Sequence, residues 1–380
     1  MLKKILTIFV ITLSCLLSTA SIAAPAKEKE TVHVFFFQFG TQVNVYLKSV
    51  LLQLPKSTPK IVMGNIPEDI KKEYNIQTYS VPYEGGWKYS RGFNLDKLKD
   101  VIRDMKRRHA NYVLHACTNE PKVYFPFLQQ LPADRIKHIH LYDETTGIFL
   151  NNPSYRDSRF SLEQLKTCVE YFCISTYSRT FQFAIHQLYP TTYHTGFLPT
   201  LKADPEFKDF WEYTKDAQWE DMNFHTLAEK MPEKEKKVLY KLYNFDKDAY
   251  VAQTDGKLVH MFIVGHGPEK KEDQEQLLKQ LRDWVSRYED PNAILFVKVG
   301  RKPAVTKAIK AANLPVSILP HHVSFEVLII ANLIPDSVSG TDSSLYRNIP
   351  KENIGFIYGG DRHNLGKLGL LKKSQIIDDL

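Results

Sequence analysis

The strongest constraint on the fold is a repeated alternation of short apolar runs with amphipathic segments of helical period. Residues 32–37 form a near-continuous apolar run of the kind buried on both faces of a parallel sheet. Residues 41–54 then place Val43, Tyr46, Leu47, Val50 and Leu51 at helical spacing, and 60–63 read as a second strand. The series continues with a short helix at 67–74, a helix at 95–107, a strand at 111–115, a helix at 121–131 and a strand at 136–141. It restarts later with strands at 258–264 and 293–299, which feed helices at 273–288 and 305–312. Such alternation predicts an α/β fold with mainly parallel sheet. A chain of 380 residues exceeds the size at which one core usually keeps growing, so two domains are expected.

Between the two series, 162–187 reads as a long helical region whose aromatics, Tyr171, Phe172, Tyr177, Phe181 and Phe183, close the first half as core. The Tyr189-Pro190 turn and the polar segment to residue 205 read as an interdomain crossing. Residues 206–243 are strongly helical in pattern, with Trp211, Trp219 and Leu239 as packing anchors and a solvated charge run at 229–237. These readings place one domain at 31–188 and a second at 189–365, with 366–380 left after it.

The N-terminus has the three regions of a secretory signal peptide. Lys3 and Lys4 precede an apolar run at 5–17, and small residues end in Ser21-Ile22-Ala23-Ala24-Pro25, predicting cleavage after Ala23. The competing reading is an uncleaved anchor, because the run is borderline for a bilayer span. Cys15 stands near a lipobox position, but Thr12 is a poor match for the leucine such a site wants, which argues against lipidation. The expected location is therefore exported, periplasmic or membrane-associated.

Removal of residues 1–23 leaves Cys117, Cys168 and Cys173, with no Cys-x-x-Cys or His-x-x-x-His pair to bind zinc, so buried thiols are expected. A formal charge of +7, Lys-driven and diffuse, suits an anionic substrate or a membrane surface and is too diffuse to argue for nucleic acid.

The most informative stretch is 319–346. Ser324 reads as a helix N-cap, with Glu326 in the first turn facing the positive end of the dipole. The apolar run 327–334 buries that helix until Pro335 stops it, and 336–339 can form a short strand. Gly340-Thr341-Asp342 turns the chain so that Ser343 and Ser344 open another helix, offering hydroxyls and free N–H groups to an anion. One carboxylate and one anion cradle about a helix apart suit a nucleotide. Two further features sit at strand ends, where α/β folds place ligands: the acids Asp143 and Glu144 after 136–141, and His266 within Gly265-His266-Gly267-Pro268. An ordinary turn acid and a solvated loop histidine are the bland alternatives.

The 319–346 segment resembles the nucleotide-binding end of the bacterial CMP-sialic acid sialyltransferases of glycosyltransferase family eighty. In that family a Phe-Glu-Val/Ile helix supplies a Glu to the cytidine ribose and a Gly-x-x-Ser-Ser turn holds the donor phosphate. The implied counterparts are Glu326, Ser343 and Ser344, with Pro335, Asp336 and Gly340 in family-like places. The family's paired acids, whose second member is the general base, correspond to Asp143 and Glu144, although Thr145 replaces the usual glycine. Residues 368–377 are similar to the family's tail, which crosses back onto the first domain. The family's Lys-Gly-His-Pro loop keeps Lys298 but reads Val299-Gly300-Arg301-Lys302 after it. Three outcomes stay open: Arg301 or Lys302 neutralises the leaving phosphate, His266 or His322 takes over, or transfer is lost. A CMP phosphate needs charge more than a proton, which favours activity.

The resemblance implies a GT-B architecture of two Rossmann-like domains facing a cleft. It further implies a sialyltransferase that moves sialic acid from CMP-sialic acid to a galactose-terminated acceptor with inversion and without a metal. The competing functions are a transferase for another CMP-activated acid such as Kdo, a non-catalytic sugar- or nucleotide-binding protein on the same scaffold, and an exported solute-binding protein. The oligomeric state is left open.

Overall fold

A computed structural model describes residues 29–378 apart from 38–40, 81–82, 85–91, 94, 119–120, 144–183, 197, 266–269, 301–302, 362–364 and 367–368. The signal peptide expected at 1–23, most of the helical region expected at 162–187, and Glu144, His266, Arg301, Lys302, Cys168 and Cys173 lie outside the described residues.

The first sheet has seven parallel strands in the order β3-β2-β1-β6-β7-β8-β9. These are β1 (Thr31–Phe36), β2 (Lys60–Met63), β3 (Ile76–Tyr79), β6 (Asn111–Cys117), β7 (Ile136–Tyr142), β8 (Thr191–Thr195) and β9 (Gln218–Asp221). The small strands β4 (Tyr83–Glu84) and β5 (Gly92–Phe93) pair with each other, antiparallel. The second sheet has six parallel strands in the order β12-β11-β10-β13-β14-β15. They are β10 (Leu258–Val264), β11 (Ala293–Val299), β12 (Ser317–Leu319), β13 (Ser337–Thr341), β14 (Ile354–Tyr358) and β15 (Ile376–Ile377). Each sheet reverses its direction of winding once, between β1 and β6 and between β10 and β13. Those are the points at which open parallel sheets bind ligands beyond their strand ends.

The apolar runs dictate this layering. In β1, Val32, Val34 and Phe36 face one core, closed by Leu98, Val101, Ile102 and Met105 of the Leu95–Arg108 helix, while Phe35 faces the other. The Lys271–Tyr288 helix buries Leu277, Leu281, Trp284 and Val285 against β10 and β11. A third cluster belongs to both halves: Leu47 and Leu51 of the Thr41–Gln53 helix meet Leu227, Leu239 and the whole Phe325–Ile330 helix. Residues 31–380 accordingly form one compact unit.

Three readings need correction. The segment after residue 188 is not simply a crossing, because β8 and β9 extend the first sheet to Asp221, and Trp219 lies in a strand. The tail does not return to the first sheet where it is described: β15 pairs with β14, and Gln375 Nε2 donates to the carbonyls of Ile354 (2.6 Å) and Gly355 (3.1 Å). The helix expected to run to Pro335 ends at Ile330, with Asn332 in the left-handed region at φ 57°. Among the described residues no helix is long and apolar enough to cross a membrane.

Candidate nucleotide and acid site

Glu326 is the centre of the second-half site. All six residues of the Phe325–Ile330 helix are buried, and Glu326 is only 1% exposed. Ser324 occupies the N-cap position without capping; its hydroxyl donates to Glu326 Oε2. Glu326 Oε1 has no hydrogen-bond partner among the described residues. Burial pushes the carboxyl above its ordinary range, opposed by hydrogen bonds from Ser324, from its own backbone N–H and from Gln42, and by the charge of Lys298. Gln42 belongs to the Thr41–Gln53 helix of the first half and Lys298 to β11. The site is thus built from three elements distant in sequence. A buried carboxylate with one unsatisfied oxygen is costly, and a hydroxyl donor from a ligand removes that cost.

Lys298 stands near the end of β11, and its Nζ donates to the carbonyls of Val299 and His321, both at 3.3 Å. His321 and His322 are exposed on the turn after β12, their rings 5.5 Å apart and edge to face. At the winding reversal of the second sheet, the Gly265 N–H donates to Thr341 Oγ1 (2.7 Å), tying the ends of β10 and β13 together. Ser343 follows as N-cap of the 3-10 turn Ser344–Asn348, with its Oγ accepting from the Leu345 N–H (3.3 Å). Capping engages a lone pair and leaves the hydroxyl hydrogen for an acceptor. Ser344 supplies the first backbone of that turn. Gly340 and Thr341 belong to β13 rather than to a free turn. Gly340 sits at φ 136°, and a Cβ there would collide with the Ile263 backbone, so β-strand packing already accounts for the glycine.

From the first half, Asp143 closes β7. It is 4% exposed; its N–H donates to the His194 carbonyl (2.9 Å) and its Oδ2 accepts from Thr195 Oγ1 (3.3 Å). Across from it stands Arg347, in the turn that Ser343 caps. Burial lowers the Arg347 guanidinium to about 10, opposed by the charges of Asp143, Asp342 and Asp361. Sequence reading passed over Arg347, because one arginine after a serine pair carries no pattern; only the fold sets it among acids from both halves. The imidazoles of β1, β6, β7 and β8 were missed in the same way, although His138, His140 and Tyr142 at alternate positions of one strand were a usable signal. Cys117 is a buried thiol, as read.

For metals, an Asp-x-Asp spacing does occur at Asp246 and Asp248, but Asp246 Oδ1 caps a helix by accepting from the Ala249 N–H (2.9 Å). Among the described residues no group of three His, Cys, Asp or Glu could hold a metal ion.

The fold is that of the GT-B glycosyltransferases. It matches a 2,6-sialyltransferase of a Vibrionaceae Photobacterium species, solved with the donor product CMP and the acceptor substrate lactose, at TM-score 0.74 and 20% identity over 92% of this chain and 78% of that one. It matches the GT-B domain of a Photobacterium damselae sialyltransferase at TM-score 0.73 and 18% identity over 91% of this chain and 99% of that one. An α/β-galactoside α-2,3-sialyltransferase from Photobacterium phosphoreum gives TM-score 0.73 and 14% identity over 92% and 98%. No curated protein matches the chain in sequence. Residues 269–364 match the family model described as Sialyltransferase PMO188. The matched segment carries Lys298, Glu326, Ser343 and Arg347, so the residues of the second-half site lie in the part of the chain that is similar to that family.

Proposed function

We propose that this protein transfers sialic acid from CMP-sialic acid to a galactose-terminated acceptor with inversion at the anomeric carbon. The observation that carries the reading is Glu326 Oε1, a buried carboxylate oxygen lacking a partner within the family-matched segment. A ribose hydroxyl supplies the missing hydrogen bond. Ser343 and Ser344 hold the phosphate, with Gly340 shaping their approach, and Lys298 offsets its charge. Asp143 and Glu144 at the end of β7 form the acceptor side, with Glu144 taking the proton of the attacking hydroxyl in a single displacement. Arg301 and His266 are assigned the charge that stabilises the leaving phosphate, from their places in the sequence alone. The bound nucleotide in the lactose complex of the Photobacterium 2,6-enzyme supports the same pair of substrates here.

No metal is needed, because cationic side chains cover the phosphate. Export through the N-terminal signal would place the enzyme with surface glycans such as lipooligosaccharide, in the periplasm or at a membrane surface. The second reading, a binding protein without turnover, is favoured by Thr145 and by Val299-Gly300-Arg301-Lys302 where the family has glycine and His-Pro.

Incubation of the purified protein with CMP-sialic acid and lactose, followed by mass spectrometry, decides between them. Sialyl-lactose is the expected product. Tight CMP binding with neither transfer nor donor hydrolysis would leave the binding role.

A further inference from the structure

Five imidazoles share one face of four adjacent strands of the first sheet: His33 on β1, His115 on β6, His138 and His140 on β7, and His194 on β8. The register sets His115 beside both Phe35 and His140, and Tyr142 beside His194. Their rings stack across the strands: Phe35–His115 at 4.3 Å and 6°, His115–His140 at 4.7 Å and 8°, and Tyr142–His194 at 4.2 Å and 9°. Two hydrogen bonds join neighbours, His33 Nδ1 to His115 Nε2 (2.9 Å) and His140 Nδ1 to His194 Nε2 (3.0 Å). His115 spends its other nitrogen, Nδ1, on the Tyr142 hydroxyl (3.0 Å). Burial holds these rings neutral, so each has one donor and one acceptor to place.

His115 and His194 are buried and His33, His138 and His140 half-buried, so the row carries imidazoles where phenylalanine or leucine would lose no hydration. What polar rings add is a preferred arrangement, in which the imidazoles bond one another and Tyr142, while His194 Nδ1 has only the Glu220 carboxylate beside it at 3.4 Å. Here that arrangement converges on Tyr142. Its ring lies against His194 on one side and Tyr46 on another (5.6 Å), and its hydroxyl is held by His115. The next residue is Asp143, whose N–H is taken by the carbonyl of the same His194 and whose carboxylate receives Thr195.

We infer that His115 and His194 are positioning residues that act through Tyr142 to seat Asp143, at the end of β7, in one geometry. A small displacement of a group that must reach an acceptor hydroxyl costs turnover far more than it costs binding. The kinetic side of this inference rests on the transferase reading, and its structural side does not.

The test uses Tyr142→Phe, which removes only the hydroxyl, and His115→Phe, which keeps the stacking ring and removes the hydrogen bonds to Tyr142 and to His33. His115→Asn, whose amide can replace Nδ1, is the rescue. Both Phe variants should lower kcat of sialyl transfer about tenfold with donor KM unchanged. The double variant should be no slower than His115→Phe alone, because that change already removes the bond that Tyr142→Phe removes. His115→Asn should recover most of the rate. Hydrogen exchange at the Asp143 amide should quicken in both Phe variants and return in His115→Asn, a readout that stands even if wild type transfers nothing. Failure of wild type to transfer would sink the transferase reading alone. Unchanged Asp143 exchange in the folded Phe variants, or unchanged kcat in an active enzyme, overturns the positioning role.

Discussion

Ser324 gives its hydroxyl hydrogen to Oε2 of Glu326, two residues further on, so the residue placed to cap the helix serves a buried carboxylate instead. The consequence is a helix start built around one acid whose second oxygen waits for a donor.

Glu326→Gln should therefore raise stability and lower CMP affinity together. The folded pKa is raised above the unfolded value near 4.3, so the folded state binds the proton more tightly. Stability from this group grows as pH falls through the folded pKa and is absent above it, which makes the ionised form a liability at neutral pH. Calorimetry should show CMP binding weaker by about 1.5–3 kcal/mol, the range for hydrogen bonds to charged groups. Thermal melting of the free protein at pH 7.5 should move upward. A lower melting temperature with unchanged affinity would remove Glu326 from the site.

Glu144→Gln keeps the shape of the side chain and removes a base. Transfer should fall by about 10²–10⁴-fold, the usual contribution of general acid–base catalysis, with CMP binding in the second half nearly untouched. Asp143→Asn should cost less. Rate measurements with saturating donor separate the two, and wild-type turnover in Glu144→Gln would move the base elsewhere.

The histidine row predicts acid lability. Burial and neighbouring charges lower His33 to about 4 and both His140 and His194 to about 3, with His115 and His138 also lowered. Among the described residues the charged or ionisable groups facing the row are Lys60, which lowers His33 further, Glu220 beside His194 (3.4 Å), and the phenols of Tyr46 and Tyr142. For these histidines the unfolded chain binds protons first, so stability is complete above about pH 6.5 and is lost as pH falls toward the folded values. His140 and His194, the more deeply covered pair, each contribute a slope of at most about 1.4 kcal/mol per pH unit in that window. Urea unfolding between pH 7.5 and 4.5 should show this steep loss, and His140→Phe with His194→Phe should flatten it. An equal slope in the double variant would show that other groups set the acid limit.

Gly340→Ala should be among the most damaging small substitutions in the chain. The added methyl would meet the backbone of Ile263 on β10, and neither strand can move without breaking the ladder that joins them. A loss of roughly 3 kcal/mol or more is expected, larger than ordinary overpacking. Denaturant midpoints measure it, and a neutral result would mean that β13 can shift away from β10.

Strands buried on both faces were legible from the chain alone. Lys60–Met63, Leu258–Val264 and Ala293–Val299 lie where their apolar runs place them, because such runs have few other ways to leave water. The Phe-Glu-Val helix and the serine pair were also legible, since local chemistry at helix starts is written in adjacent residues. Tertiary structure alone decided the rest. Thr191–Thr195 reads as polar and yet is wholly buried, because Thr192 bonds to Gln218 (3.0 Å) and to His138 (2.8 Å), partners no local pattern names. Glu326 becomes a half-satisfied buried acid only where Ser324, Gln42 and Lys298 converge, and Asp143 meets Arg347 only because the two sheets pack into one unit. Burial, and the electrostatics that follow from it, depend on what covers a residue, and that is settled by contacts far apart in the chain.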